Sequence, residues 1–153
     1  MSKYTKPSGK IPVHRSSLGI GTLAELIGSS ADKYSGRTAY RTPGLGGVID
    51  ISYGRVFEVV TKFARHLKEL GIEKGDHVAV LGENRPEWGM SLFALAWIGA
   101  VAVPLDARAS AESHKFILSF SSSKAVIASN EFLRGIKMFA HELPQLKHAV
   151  SMD

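Results

Sequence analysis

Apolar positions along this chain follow two rhythms that take turns. Val56, Val60, Phe63, Leu67 and Leu70 recur at intervals of four and three, predicting a helix with one apolar stripe, while Lys62, Arg65, Lys68 and Glu69 face away. Ser52 stands where its N-cap belongs and Gly71 where a left-handed stop belongs. A short unbroken apolar run follows at 78–81, then an apolar helical stretch ending at Gly99-Ala100, then the β-branched run 101–105. Helix, buried strand, helix, buried strand is the pattern of an α/β fold with a mainly parallel sheet in three α/β/α layers.

The same reading extends to both sides. Thr22 and Glu25 have capping-box spacing ahead of Leu26 and Ile27, predicting a helix to about Tyr34. Ala39-Tyr40-Arg41 and Val48-Ile49-Asp50-Ile51 predict a small β-hairpin around the glycine-rich connection at 42–47. That connection is no phosphate loop, which needs a Lys followed by Ser or Thr and an immediate helix start; glycine here supplies the positive φ of a turn. Downstream, Ser110 is expected to cap a helix with Glu112 in its first turn and Phe116, Ile117 and Phe120 facing inward. Ser121-Ser122-Ser123 reads as a turn, 125–128 as a strand, and Asn130 as the cap of a helix that buries Phe132, Ile136, Phe139, Ala140 and Leu143 and ends at Pro144. The run 148–152 reads as a last strand, and the chain stops there, which suggests a truncated subdomain.

Asn84-Arg85-Pro86-Glu87 resembles a capping box with Asn in place of Ser or Thr, and it follows a predicted parallel strand. Open α/β sheets form their ligand crevice just past the carboxyl ends of strands. Asn84 is therefore both a helix cap and a candidate ligand contact, and Asp106 and Arg108, just past the next strand, share that double reading.

Composition narrows the function classes. At 153 residues, with 44% apolar and 22% charged positions, one globular domain is expected. The absence of cysteine removes disulfides, thiol nucleophiles and Cys-ligated zinc, and is compatible with a cytoplasmic location. Nineteen Lys and Arg against fourteen Asp and Glu leave a charge of +5. Lys3, Lys6, Lys10 and Arg15 precede the first acid at Glu25, so residues 1–21 read as a basic, flexible tail. No aromatics interleave a basic cluster, so nucleic acid is not an expected partner. Residues 89–105 carry no charge, but the change to β-branched residues after Gly99-Ala100 and the stop at Pro104 read as helix, turn and strand, so no transmembrane segment is expected. Six histidines form no His-Glu-x-x-His pair, and no Ser lies within Gly-x-Ser-x-Gly, so metal and hydrolase sites have no anchor. No Gly-x-Gly-x-x-Gly opens a helix after a predicted strand, which weakens a Rossmann-type nucleotide binder.

Four motifs in order carry a resemblance: Ser52-Tyr53 opening a helix, residues 70–79 with Leu70-Gly71-Ile72 and Gly75-Asp76, Asn84 to Trp88, and residues 99–106 with Pro104-Leu105-Asp106. Over residues 23–129 the chain resembles the N-terminal portion of adenylate-forming acyl-CoA synthetases, with Asn84-Arg85-Pro86-Glu87-Trp88 leaning toward long-chain fatty acid ligases. The resemblance implies an enzyme that joins a carboxylic or fatty acid to ATP as an acyl-adenylate, usually with magnesium, and passes the acyl group to coenzyme A. The family's phosphate loop, adenine segment, ribose-binding Asp and catalytic Lys do not occur here. Residues 22–153 are thus expected to be an α/β subdomain that is inactive alone, with no catalytic residue and no metal site. It would help wall the acyl and coenzyme A side of the family's cleft, with Asn84, Asp106 and Arg108 as crevice candidates. The rival expectation is a stand-alone module for acyl chains or a partner subunit, which predicts self-association or a stable complex through an open apolar face.

Overall fold

A computed structural model describes residues 21–44 and 46–153. The expectations for the basic tail at Lys3, Lys6, Lys10 and Arg15, and for Leu45, lie outside the described residues. The elements are α1 (Leu23–Tyr34), β1 (Thr38–Gly44), β2 (Gly47–Ser52), α2 (Tyr53–Glu69), β3 (His77–Leu81), α3 (Pro86–Ile98), β4 (Val101–Pro104), α4 (Ala111–Phe120), β5 (Ala125–Ala128), α5 (Asn130–Phe139), a 3₁₀ turn (Ala140–Glu142) and β6 (His148–Ser151).

Local chemistry sets these boundaries. The Thr22 hydroxyl accepts the Glu25 N–H while the Glu25 carboxylate accepts the Thr22 N–H, completing a capping box. Ser52 and Ser110 cap α2 and α4 by accepting the N–H groups of Arg55 and Ser113. At the other ends, α2, α3 and α4 close with one device. Ile72 N–H reaches the Leu67 carbonyl at 3.0 Å, Ala100 N–H the Leu95 carbonyl at 3.0 Å, and Ser123 N–H the Leu118 carbonyl at 3.1 Å. The left-handed residue this Schellman geometry requires is Gly71 (φ 80°) in α2, Gly99 (φ 74°) in α3 and, unusually, Ser122 (φ 51°) in α4.

β1 and β2 pair antiparallel as the expected hairpin. The other four strands form one parallel sheet in the order β4-β3-β5-β6. Alternate strand residues feed two separate cores. Val78, Val80, Ala125 and Ile127 pack with Ile27, Val56, Val60, Leu67, Ala94 and Leu95 of α1–α3, whereas Ala79, Leu81, Val126 and Ala128 pack with Leu118, Leu133, Ile136 and Phe139 of α4–α5. Crossover handedness explains the segregation. Moving from β3 outward to β4 puts α3 on one face; moving the opposite way, β4 to β5 and β5 to β6, puts α4 and α5 on the other.

Three local expectations are corrected. Asn84 does not cap α3: Pro86 is its first residue, so Arg85, held extended ahead of the proline, is the N-cap, and no side chain closes that end. Asn130 is likewise inside α5, whose cap position is Ser129. On α4 the buried side chains are His114 and Leu118, while Phe116 and Phe120 are 66% and 82% exposed and stack on each other at 5.8 Å.

Candidate functional site

In the strand order β4-β3-β5-β6 the direction of travel reverses between β3 and β5, and the loops after those strands open the crevice where α/β sheets hold ligands. The loop after β3 supplies Glu83, Asn84 and Arg85; the residue after β5 is Ser129. Ser129 donates its N–H to the Leu81 carbonyl and its hydroxyl to Glu83 Oε2 at 3.3 Å, which ties the two loops together across the switch point. Ser129 occupies the cap position of α5, but its side chain accepts no N–H of that helix. The carboxylate of Asp153 does so instead, accepting the Asn130 N–H at 2.6 Å, and Ser151 Oγ donates to Asn130 Oδ1 at 3.0 Å. The Asn130 N–H, joined by the Arg85 guanidinium, holds the Asp153 carboxyl below the usual carboxylate range.

Arg85 links the crevice to α3. Its Nε donates to Glu87 Oε2 at 2.8 Å and its Nη1 to Asp153, so the ends of β3, α3 and β6 meet at one guanidinium. Glu87, and then Asp153, raise the Arg85 pKa further above its ordinary value.

The three residues singled out from sequence are not brought together. Asn84 is exposed and lines a cavity of about 360 Å³ between the hairpin and the start of α3, with Tyr40, Arg41 and Trp88. The Tyr40 hydroxyl seats the hairpin against Gly89, where any β-carbon would collide with it, and burial raises the Tyr40 pKa. Asp106 and Arg108 belong to the loop after β4. Asp106 Oδ1 accepts the Arg108 N–H at 2.9 Å, which with the guanidinium lowers the carboxyl pKa, and the Asp106 carbonyl meets Nε2 of buried His114 at 2.8 Å. The Arg108 side chain is 91% exposed. No hydrogen bond joins Asn84 to Asp106 or Arg108. Sequence reasoning passed over Glu83, Ser129 and Asp153; the rule that crevices form past adjacent buried strands pointed to the first two.

A second concavity, of about 390 Å³, lies on the α2–α3 face, floored by Ile127 and Met152 and walled by Val59, Phe63 and Met90. Among the described residues no three His, Asp or Glu side chains gather as metal ligands, and no helix is long and apolar enough to cross a membrane. The crevice arginine, Arg85, is shared between the carboxylates of Glu87 and Asp153.

A doubly wound parallel sheet with a tied switch-point crevice defines a segment of the open α/β class. Residues 28–153 match the family described as AMP-binding enzyme, and the chain belongs to that family. It is similar to the crotonobetaine/carnitine–CoA ligase of Escherichia coli, at 33% identity over 133 residues that cover 86% of this chain and 26% of the relative. Among solved structures it resembles the N-terminal domain of FACL13 from Mycobacterium tuberculosis (27% identity, TM-score 0.79, 86% of this chain and 34% of that one). It also resembles a protein titled long-chain-fatty-acid CoA ligase from Rhodopseudomonas palustris (26% identity, TM-score 0.78, 88% and 33%). The chain therefore spans about a quarter of the length of the curated relatives it matches.

Proposed function

We propose that these residues form the N-terminal α/β segment of an AMP-forming acid–CoA ligase, which converts a carboxylic or fatty acid, ATP and coenzyme A to acyl-CoA, AMP and pyrophosphate. The observation that carries this reading is the doubly wound sheet, which follows the fold of acid–CoA ligases over 86–88% of the chain at 26–27% identity. A carboxylate is a poor electrophile, and adenylation gives it a leaving group that a thiol displaces. Magnesium, ATP and coenzyme A are the intact ligase's requirements, and their chemistry fits a cytoplasmic enzyme.

The described residues supply scaffold and wall. Ser129 and Glu83 hold the two loops of the switch point at a fixed separation, and Arg85 fixes the start of α3 against the end of β6. The residues leave adenylation to other parts of the ligase, so the 153-residue chain alone is inactive. The test is a chimera in which this chain replaces the aligned quarter of the E. coli crotonobetaine/carnitine–CoA ligase. Retained CoA thioester formation is the expected result; a folded chimera without it overturns the reading. Acid-dependent ATP–pyrophosphate exchange by the purified 153-residue chain would overturn its assignment as an inactive segment.

A further inference from the structure

α4 buries two side chains, Leu118 and His114, and the histidine occupies a position that an apolar side chain would fill. An imidazole leaves water at a cost unless a partner replaces it. That partner is the Asp106 carbonyl at 2.8 Å, and because a carbonyl only accepts, Nε2 carries the proton. Phe132 of α5 meets the ring edge-on at 6.4 Å and fixes its plane.

The carbonyl does not need this bond. It already accepts the Ala109 N–H at 3.1 Å, which closes the turn after β4. His114 therefore adds constraint to backbone that is paired without it. It holds the loop at both ends, through its side chain at Asp106 and through its own N–H, which reaches the Ser110 carbonyl at 3.0 Å. Between those ends lies Arg108, and Leu105 N–H, bonded to the Val80 carbonyl, seats the whole loop beside the end of β3.

Arg108 differs from Arg85 in what it has left to give. Arg85 is committed to Glu87 and Asp153, whereas the Arg108 guanidinium makes one long bond, Nε to Asp106 Oδ1 at 3.4 Å, and no other among the described residues. Its terminal nitrogens are free to form the two-pronged contact that suits a phosphate. We propose that His114 is a positioning residue, holding the loop so that Arg108 meets a phosphate group of ATP or of coenzyme A. This rests on the ligase reading, which supplies both phosphorylated substrates. A long side chain on a slack loop spreads its charge over many positions, and the His114 bond narrows them before the substrate arrives.

The experiment is steady-state kinetics on the chimera described above, with KM measured for ATP, coenzyme A and the acid in turn, beside amide hydrogen exchange on the 153-residue chain. Leucine suits the inward position, so His114→Leu is expected to fold, with KM for one phosphorylated substrate raised about tenfold and kcat held within about twofold. The substrate whose KM rises identifies the phosphate. His114→Gln, whose amide places a donor near the Nε2 position, restores it; adding His114→Leu to Arg108→Gln raises KM no further. A fall in kcat with every KM unchanged reports lost enzyme rather than a misplaced loop and overturns the proposal, as does a rise confined to the acid. A chimera that makes CoA thioester while His114→Leu leaves all constants unchanged overturns the positioning and keeps the ligase reading. In the 153-residue chain, which needs no turnover, the Arg108 and Ala109 amides are expected to exchange about tenfold faster in His114→Leu. That acceleration in a chain whose folded chimera makes no thioester upholds the restraint on the loop and overturns the ligase reading, the phosphate contact with it; no acceleration overturns the positioning.

Discussion

The ammonium of Lys124 lies 2.7 Å from Asp76 Oδ2 and 2.8 Å from the Gly71 carbonyl, joining the loops that lead into β3 and β5 at the amino end of the sheet. Asp76 also accepts the Glu73 N–H at 2.8 Å. Lys124, followed by that N–H, holds the Asp76 carboxyl below its ordinary range.

A carboxyl with a depressed folded-state pKa stabilises the fold above its unfolded value, about 3.9, and loses that contribution as pH falls through the lower folded value. Both side chains are partly solvated, so Asp76→Asn is expected to cost about 1 kcal/mol at pH 7. The difference from wild type should shrink as pH drops below about 4. Urea unfolding at a series of pH values measures it; a difference that grows on acidification contradicts the assignment.

Thr22 and Asn84 looked equivalent as helix caps, and only Thr22 makes the bonds. Thr22→Ala should cost about 1 kcal/mol, whereas Asn84→Ala should stay within about 0.5 kcal/mol of wild type. Equal losses for the two would show that Asn84 closes α3 after all.

Ser122 occupies the left-handed position that glycine fills in α2 and α3. Its side chain makes no hydrogen bond and is exposed, so Ser122→Gly relieves backbone strain at little cost. A gain of about 0.5–1 kcal/mol in denaturant unfolding is expected, the strain relieved less the entropy glycine adds to the unfolded chain.

Leu118 and Phe120 lie two residues apart on α4 with opposite surroundings. Leu118 is fully buried, and Leu118→Ala should cost about 2–5 kcal/mol. Phe120→Ser loses only the exposed stack on Phe116, about 1 kcal/mol. A thermal melt of each variant distinguishes them.

The alternation of helices and buried strands was legible because parallel strands covered on both sides read as unbroken apolar runs, as at 78–81 and 125–128. The caps at Thr22, Ser52 and Ser110 were legible because each bond closes within three residues. Asn84 misled because the capping-box spacing to Glu87 competes with Pro86, whose fixed φ and missing N–H suit the first helical position and make Arg85 the cap. Phe116 and Phe120 misled because two aromatics four apart form a stripe of their own. The phase of α4 was set instead by Leu118 and by His114, whose hydrogen bond to the Asp106 carbonyl lets a polar residue go inside. The crevice ties, Ser129 with Glu83 and Asp153 with Asn130 and Arg85, span 23 to 68 positions of sequence and leave no local trace.

Because successive residues of β3 belong to different cores, Val80 and Leu81 are adjacent by covalent bond yet strangers by packing. Truncating either should loosen only the helices on its own side of the sheet, and the two losses should sum as though the sites were far apart. One five-residue strand thus keeps the helical layer carrying the hairpin mechanically deaf to the layer carrying α4 and α5.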